Sequence, residues 1–224
     1  MIKALVFDFD GLILETEQPL YQSWQEIYWA NGLDLPFEKW ALNIGTAEEP
    51  FDPLDELESL PSWSLEKNQE IARRLEREME LIRSQPPRPG VVEYLKDARR
   101  LGLKVGLASS SSCKWVTGHL ERLGLRQYFD CVQARDDVEL TKPDPELYLS
   151  AVEILGARPK EAIAFEDSPN GILAAKRAGL HCVAVPSLLT RKLDTSLADV
   201  QLSSLAEMRL EELVKEIERR ADKS

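Results

Sequence analysis

Two aspartates one residue apart, Asp8 and Asp10 in FDFDG, close the first apolar run of the chain. Neither carboxylate can be buried there unpaired. A hard divalent cation with oxygen ligands would hold both ionised, and Mg2+ suits a site with few carboxylates and room for water and phosphate oxygens. Taken alone, the pair reads equally well as two exposed acids closing a strand. A second acidic pair, Glu166 and Asp167, follows AIAF and precedes SPNG. Acids beside a helix start also gain from its dipole. Ser109 to Ser112 follow VGLA; hydroxyls and backbone N–H groups at a helix start make an anion cradle, or a simple cap. Lys142 stands in LTKPDPELY, where Pro143 and Pro145 stiffen the chain around it. Such a lysine can set a point charge against a phosphate, or be an ordinary solvated loop residue.

The elements that must position these groups are legible around them. Ala4 to Phe7 reads as a buried parallel strand, and strand residues alternate faces, so Asp8 and Asp10 are expected on one side and Phe9 on the other. From Gly90 onward, helical runs alternate with apolar strands at LKVGLASS, FDCVQA, AIAFED and LHCVAV. Four helical runs end in Gly102, Gly124, Gly156 and Gly179, residues that accept the left-handed backbone of a helix C-terminus. Alternation with short joints predicts right-handed crossovers, hence an α/β fold with a doubly wound parallel sheet. Ser168 is a predicted N-cap with Pro169 at the first helical position. In such sheets ligands bind outside the carboxyl ends of the strands, where all four stretches fall. Four acids gathered at one edge repel by kilocalories unless a cation is present.

Between Thr16 and Gln85 the strand pattern gives way to helical spacing, with EQPLYQSWQEIYWANG and SLEKNQEIARRLEREMELIRS as helices and Ser64 as a start of the second. The acidic, proline-punctuated stretch between them predicts loops and short helices. Pro86, Pro87 and Pro89 with Gly90 form a stiff return. The reading is a core of residues 1–15 and 88–224 with a helical insertion over 16–87. Trp24, Tyr28, Trp29, Trp40 and Trp63 cluster in the insertion, most as its core and one or two toward a cleft. SSLAEMRLEELVKEIERR reads as an amphipathic terminal helix.

Net charge is -11, with most of the acidic excess in the insertion. That balance argues against a nucleic-acid partner, which needs a basic footprint. Cys113, Cys131 and Cys182 are unpaired in spacing and odd in number, which suits a reducing compartment and small core residues. No leader pattern and no apolar run of membrane-spanning length is present, so the expectation is a soluble cytoplasmic protein, monomeric by default, with no membrane partner.

Taken together and in order, FDFDGLILETE, LASSSS, TKPDPELY and FEDSPNGILAAKRAG closely resemble the four motifs of the haloacid dehalogenase superfamily, nearest its small phosphatases and β-phosphoglucomutase-like enzymes. The insertion falls where that family carries its helical cap. The resemblance implies an Mg2+-dependent hydrolase of a small phosphorylated metabolite. Asp8 would be the nucleophile and Asp10 the acid and then base. Asp8 and Asp167 would ligate Mg2+ directly, Asp10 through its backbone carbonyl and Glu166 mostly through water. Ser109, the backbone near Ser110, and Lys142 would hold the phosphoryl oxygens. Crowding among carboxylates would keep a proton on Asp10.

Departures from the pattern bear on activity. Glu15 replaces the usual aspartate at the end of the first motif. Leu20 and Glu49 stand where the sugar phosphomutases carry a histidine and an arginine, which places mutase activity below hydrolysis. Dehalogenation is disfavoured by the second aspartate. A phosphoacceptor or binding module of the receiver type is the alternative of another class, although receivers are shorter, lack a cap and use an aspartate from a later strand. His119 and His181 match no motif and read as structural.

Overall fold

The structure, a computed structural model, describes residues 1–44, 50–60, 63 and 67–221. A six-stranded parallel sheet forms its centre: β1 (Ala4–Phe7), β2 (Lys104–Ala108), β3 (Cys131–Gln133), β4 (Ala162–Glu166), β5 (His181–Ala184) and β6 (Val200–Gln201). The order across the sheet is β3-β2-β1-β4-β5-β6. After β3 the chain crosses back over β1 to start β4, so the winding reverses between β1 and β4. A doubly wound sheet opens a crevice at such a point. Phe7 pairs with Leu107 on one side and Phe165 on the other, which brings the ends of three strands level. β6, a two-residue edge strand, is too short to leave a sequence pattern.

Strand alternation sorts the core into two layers. Leu5, Phe7 and Phe9 face α5 (Val91–Arg100), α6 (Cys113–Arg122) and α9 (Leu210–Ala221), packing with Leu95, Leu120 and Leu213. Phe7 also stacks on Phe165 at 4.7 Å between ring centroids. Ala4 and Val6 face α7 (Glu146–Ile154) and α8 (Pro169–Arg177), packing with Tyr148, Ala151, Ile172 and Ala175. The small residues on that face let the helices lie close. Gly102, Gly124, Gly156 and Gly179 all have positive φ, between 67° and 82°, just past the ends of α5, α6, α7 and α8. The terminal helix starts at Leu210, later than its sequence pattern begins.

Between β1 and α5 lie α1 (Glu17–Ala30), α2 (Phe37–Trp40), α3 (Leu54–Glu58) and α4 (Lys67–Ser84). Ser64 and Glu49 lie outside the described residues. Tyr21, Trp24, Ile27, Tyr28, Trp40 and Trp63 form a third apolar cluster. The hydroxyl of Tyr28 donates to the Pro53 carbonyl at 2.7 Å, and that of Tyr21 to Leu35 at 3.0 Å. Trp29 is the aromatic left outside, 59% exposed. Contacts that tie this helical unit to the sheet layer include Leu189, which joins its cluster, the Asn170 amide, which donates to the Ile44 carbonyl at 3.1 Å, and Arg122, which donates to the Arg83 carbonyl at 3.0 Å. Cys131 and Cys182 are buried as expected, whereas Cys113 is half-buried at the start of α6. No described helix is long and apolar enough to cross a membrane.

Candidate active site

Past Phe7 the chain leaves the strand and turns tightly. The Phe9 carbonyl accepts from Ile13 at 2.9 Å, and Gly11 adopts a left-handed φ of 76°. A Cβ on Gly11 would sit 2.1 Å from Asp167 Oδ2, so the residue after Asp10 must be glycine for both its conformation and the closeness of β4. This turn separates the two aspartates that alternation alone would place side by side. Asp8 keeps the sheet ladder, donating its N–H to Phe165 at 3.0 Å, and turns its carboxylate toward β4. Asp10 turns toward the end of β2.

Around Asp8 lies a largely buried charged cluster. Lys142, 2% exposed, donates from Nζ to Asp8 Oδ1 and to Glu166 Oε1, the latter at 2.6 Å. Glu166 Oε1 also accepts from the Tyr148 hydroxyl at 2.6 Å, and Oε2 from the Asp167 N–H at 3.2 Å. On α8 a Cβ at position 171 would fall 2.0 Å from the Glu166 carboxylate, so Gly171 makes room for it. Ser168 caps that helix, accepting from Gly171 N–H at 3.2 Å, with Pro169 in its first turn as the sequence predicts. Burial pushes the Asp8 carboxyl up to about 8, against the pull of Lys142. Burial, then Asp8 and Glu166, hold Asp167 well above the usual carboxylate range. Lys142 is held above its ordinary value because the two carboxylates outweigh the burial that opposes its charge.

A divalent cation fits these residues. Asp8, Glu166 and Asp167 each offer an oxygen within 4.8 Å of the others, and Asp167 Oδ2 is buried without a hydrogen-bond partner. Three carboxylates against one ammonium leave two negative charges, and all the donors are hard oxygens, the set that Mg2+ takes. The Asp10 carboxylate is not among them, so any share it has in a metal would fall to its backbone carbonyl.

Asp10 instead faces neutral donors. Its Oδ2 accepts from the Ser111 hydroxyl at 2.7 Å and lies 3.5 Å from the Ser109 hydroxyl; its Oδ1 accepts from the indole N–H of Trp115 at 2.9 Å. The turn at Gly11 sends Asp10 toward β2 and these neutral donors, while the Asp8 and Glu17 carboxylates stay close enough to interact with it. Ser109 is buried and anchored by its N–H to Gln133 at 2.9 Å, the Ser110 hydroxyl is buried without a partner, and Ser112 caps α6. Trp115 carries no motif. Its only sequence signal is its place one turn into the helix that the serines open.

Above these groups lies a cleft of about 560 Å3, walled on the far side by Glu17, Leu20, Trp24, Trp40, Arg74 and Glu78. Arg74 is buried over the Trp24 ring at 4.4 Å and donates to Glu78 at 2.6 Å and to Ser23 at 3.1 Å. Burial first, then Asp10, Glu15 and Asp8, push Glu17 up to about 8. Leu20 does face the cleft. Glu15 lies at the connection, its carboxylate accepting from Gln18 N–H at 3.2 Å. Beside it Arg88, also missed in the sequence, donates to the carbonyls of Gly11, Val185 (3.1 Å) and Pro186 (2.9 Å). His119 is buried and its Nδ1 accepts from Arg122 at 3.2 Å, a structural role as expected.

Residues 2–179 match the sequence profile of the haloacid dehalogenase-like hydrolases. YhcW of Bacillus subtilis (strain 168), whose name proposes a phosphatase, is 50% identical over 210 residues, 94% of this chain and 95% of that protein. Validoxylamine A 7'-phosphate phosphatase of Streptomyces hygroscopicus subsp. limoneus is 31% identical over 216 residues, covering 93% and 97%. Among solved structures, β-phosphoglucomutase of Clostridium difficile superposes with a TM-score of 0.75 at 26% identity, covering 99% of each chain.

Proposed function

Because the chain belongs to the haloacid dehalogenase-like hydrolases and is a phosphatase, we propose that it hydrolyses a small organic phosphomonoester with Mg2+, through an aspartyl-phosphate on Asp8. The observation that carries this reading is the buried, unpartnered Asp167 oxygen in a cluster with Asp8 and Glu166, within 4.8 Å of one another, whose three charges the Lys142 ammonium only partly offsets. Asp8, Glu166, Asp167 and the Asp10 carbonyl would hold the metal. Bound there, Mg2+ would neutralise charge on the phosphoryl oxygens and keep Asp8 ionised.

The side chains divide the rest of the work. An Asp8 carboxylate oxygen attacks phosphorus as the ester bond breaks, and Asp10 gives its proton to the departing oxygen. Water then attacks the aspartyl-phosphate, Asp10 takes its proton, and phosphate leaves with Asp8 restored. Lys142, with the Ser109 hydroxyl and the Ser110 backbone, holds the transferring phosphoryl group. Catalysis of this kind is positioning and charge neutralisation.

Residues 16–87 act as the cap, excluding bulk water when closed over the cleft. The cap wall carries Leu20 where a mutase needs an imidazole. It also carries Glu17, and Arg74 is already paired to Glu78, so no free cation among the described cap residues lining the cleft receives a second phosphate. This supports hydrolysis over phosphoryl shuttling. Hydrolysis of p-nitrophenyl phosphate with Mg2+, its loss in EDTA, and its abolition in Asp8→Asn are expected. Turnover that survives either change would overturn the proposal.

A further inference from the structure

Asp10 has two carboxylate oxygens, and the structure gives them different neighbours. Oδ2 meets hydroxyls, Ser111 at 2.7 Å and Ser109 at 3.5 Å; Oδ1 meets the Trp115 indole at 2.9 Å. A hydroxyl donates or accepts according to need, whereas an indole N–H only donates. Oδ1 is therefore kept an acceptor, and a proton carried by Asp10 sits on Oδ2.

Trp115 is held where it can enforce this. Ser112 caps α6 by accepting the Trp115 backbone N–H at 3.3 Å, which fixes the helix start. One turn on, the His119 ring meets the indole edge-on at 4.4 Å between centroids. His119 is itself buried and pinned by Arg122, and it packs 6.3 Å from the Phe9 ring, next to Asp10 in the chain. The indole thus has little freedom to swing away, and its N–H points at a single oxygen.

We infer that Trp115 is a positioning residue: it selects Oδ2 of Asp10 as the oxygen that gives the proton to the leaving group and later takes one from water. The inference rests on the phosphatase reading and on the acid–base role of Asp10 within it. In the first step the ester P–O bond breaks, the phosphoryl group passes to Asp8, and the Oδ2 proton goes to the departing oxygen. In the second, water supplies the hydroxyl to phosphorus and its proton returns to Oδ2. Without the indole N–H the carboxylate can rotate, and its proton is no longer confined to one oxygen.

The test compares leaving groups. p-Nitrophenolate departs from phosphorus without a proton, whereas an alkoxide needs one, so only the second substrate reports how well Asp10 presents its proton. In Trp115→Phe, which keeps an aromatic ring and loses the N–H, kcat/KM for glycerol 2-phosphate should fall about tenfold further than kcat/KM for p-nitrophenyl phosphate. Phenyl phosphate should fall between them. Trp115→Tyr, with its donor out of line, gives the same comparison should phenylalanine fail to support the fold. Equal losses on all three substrates would mark Trp115 as merely structural, and no loss on any would leave it without a role; either overturns the inference. Wild-type protein inactive on p-nitrophenyl phosphate with Mg2+ would instead overturn the phosphatase reading beneath it.

Discussion

Replacing Asp167 by asparagine should stabilise the metal-free protein, and by more at high pH than at low. Asp167 shares a buried site with Asp8 and Glu166, their oxygens within 4.8 Å of one another, and one of its own oxygens has no partner. At that distance and an effective dielectric near 20, each like-charge pair costs about 3 kcal/mol. Burial first, and then these like charges, make Asp167 and Asp8 both titrate high, and the native protein escapes part of the cost by holding protons. For Asp8 the rise is from 3.8 to about 8. The folded state then binds more protons than the unfolded chain across that window, so stability is greatest near its acid end and falls as pH rises through it. The Asp167→Asn side chain keeps the shape and removes the charge. On the order of 3 kcal/mol should be regained at pH 8 and under about 1 kcal/mol at pH 5. For a chain of this length that is a rise in Tm of roughly 6 to 12 °C at pH 8. Thermal unfolding followed by circular dichroism in EDTA reads it directly. Adding Mg2+ should then raise the wild-type Tm by mass action and move the variant little. A variant less stable than wild type in EDTA at pH 8, or a gain equal at both pH values, would refute the reasoning.

Two further substitutions probe how the site is held. Gly171→Ala puts a methyl group 2.0 Å from the Glu166 carboxylate and should displace it from Tyr148 and Lys142; the expected loss is about 2 kcal/mol of stability by denaturant titration, together with most activity on p-nitrophenyl phosphate. Arg88→Gln frees the Gly11, Val185 and Pro186 carbonyls at the connection to the cap. It should change kcat and KM together, the mark of altered opening and closing. A kcat change at constant KM would argue against a hinge role for Arg88.

The parts of this molecule that follow local rules can be read from its sequence. Glycine past the ends of α5, α6, α7 and α8, the Ser168 cap with Pro169, and the apolar run of β1 are written within a few residues, and the parallel sheet follows from their alternation. The acids at the ends of β1 and β4 stand out because acids rarely end buried strands without a reason. What escapes the sequence depends on partners far along the chain. Trp115 meets Asp10 across 105 residues, Arg88 meets Val185 across 97, and the Tyr148 hydroxyl finds Glu166 from the first turn of α7. Leucine, tyrosine or tryptophan would satisfy the hydrophobic pattern equally at such positions, so nothing local distinguishes a donor from a packing residue. The orientation of Asp10 escapes for another reason. Alternation predicts one face for both aspartates, and the tight turn at Gly11 overrides it.

That turn shows how two aspartates with a single residue between them could hold the opposite duties proposed for them. Asp8 stays on the sheet ladder, where Lys142 supplies charge and Glu166 and Asp167 could complete a cation's shell. Such a setting suits a carboxylate that must be anionic and aimed at phosphorus once the metal is in place. Asp10 is turned away by a left-handed glycine, into hydroxyls and an indole that neither add charge nor compete for the cation. A group that must gain and lose a proton in each turnover is better placed there than beside an ammonium, which would oppose its protonation at every cycle. The requirement for glycine at position 11 thus has a chemical as well as a steric side.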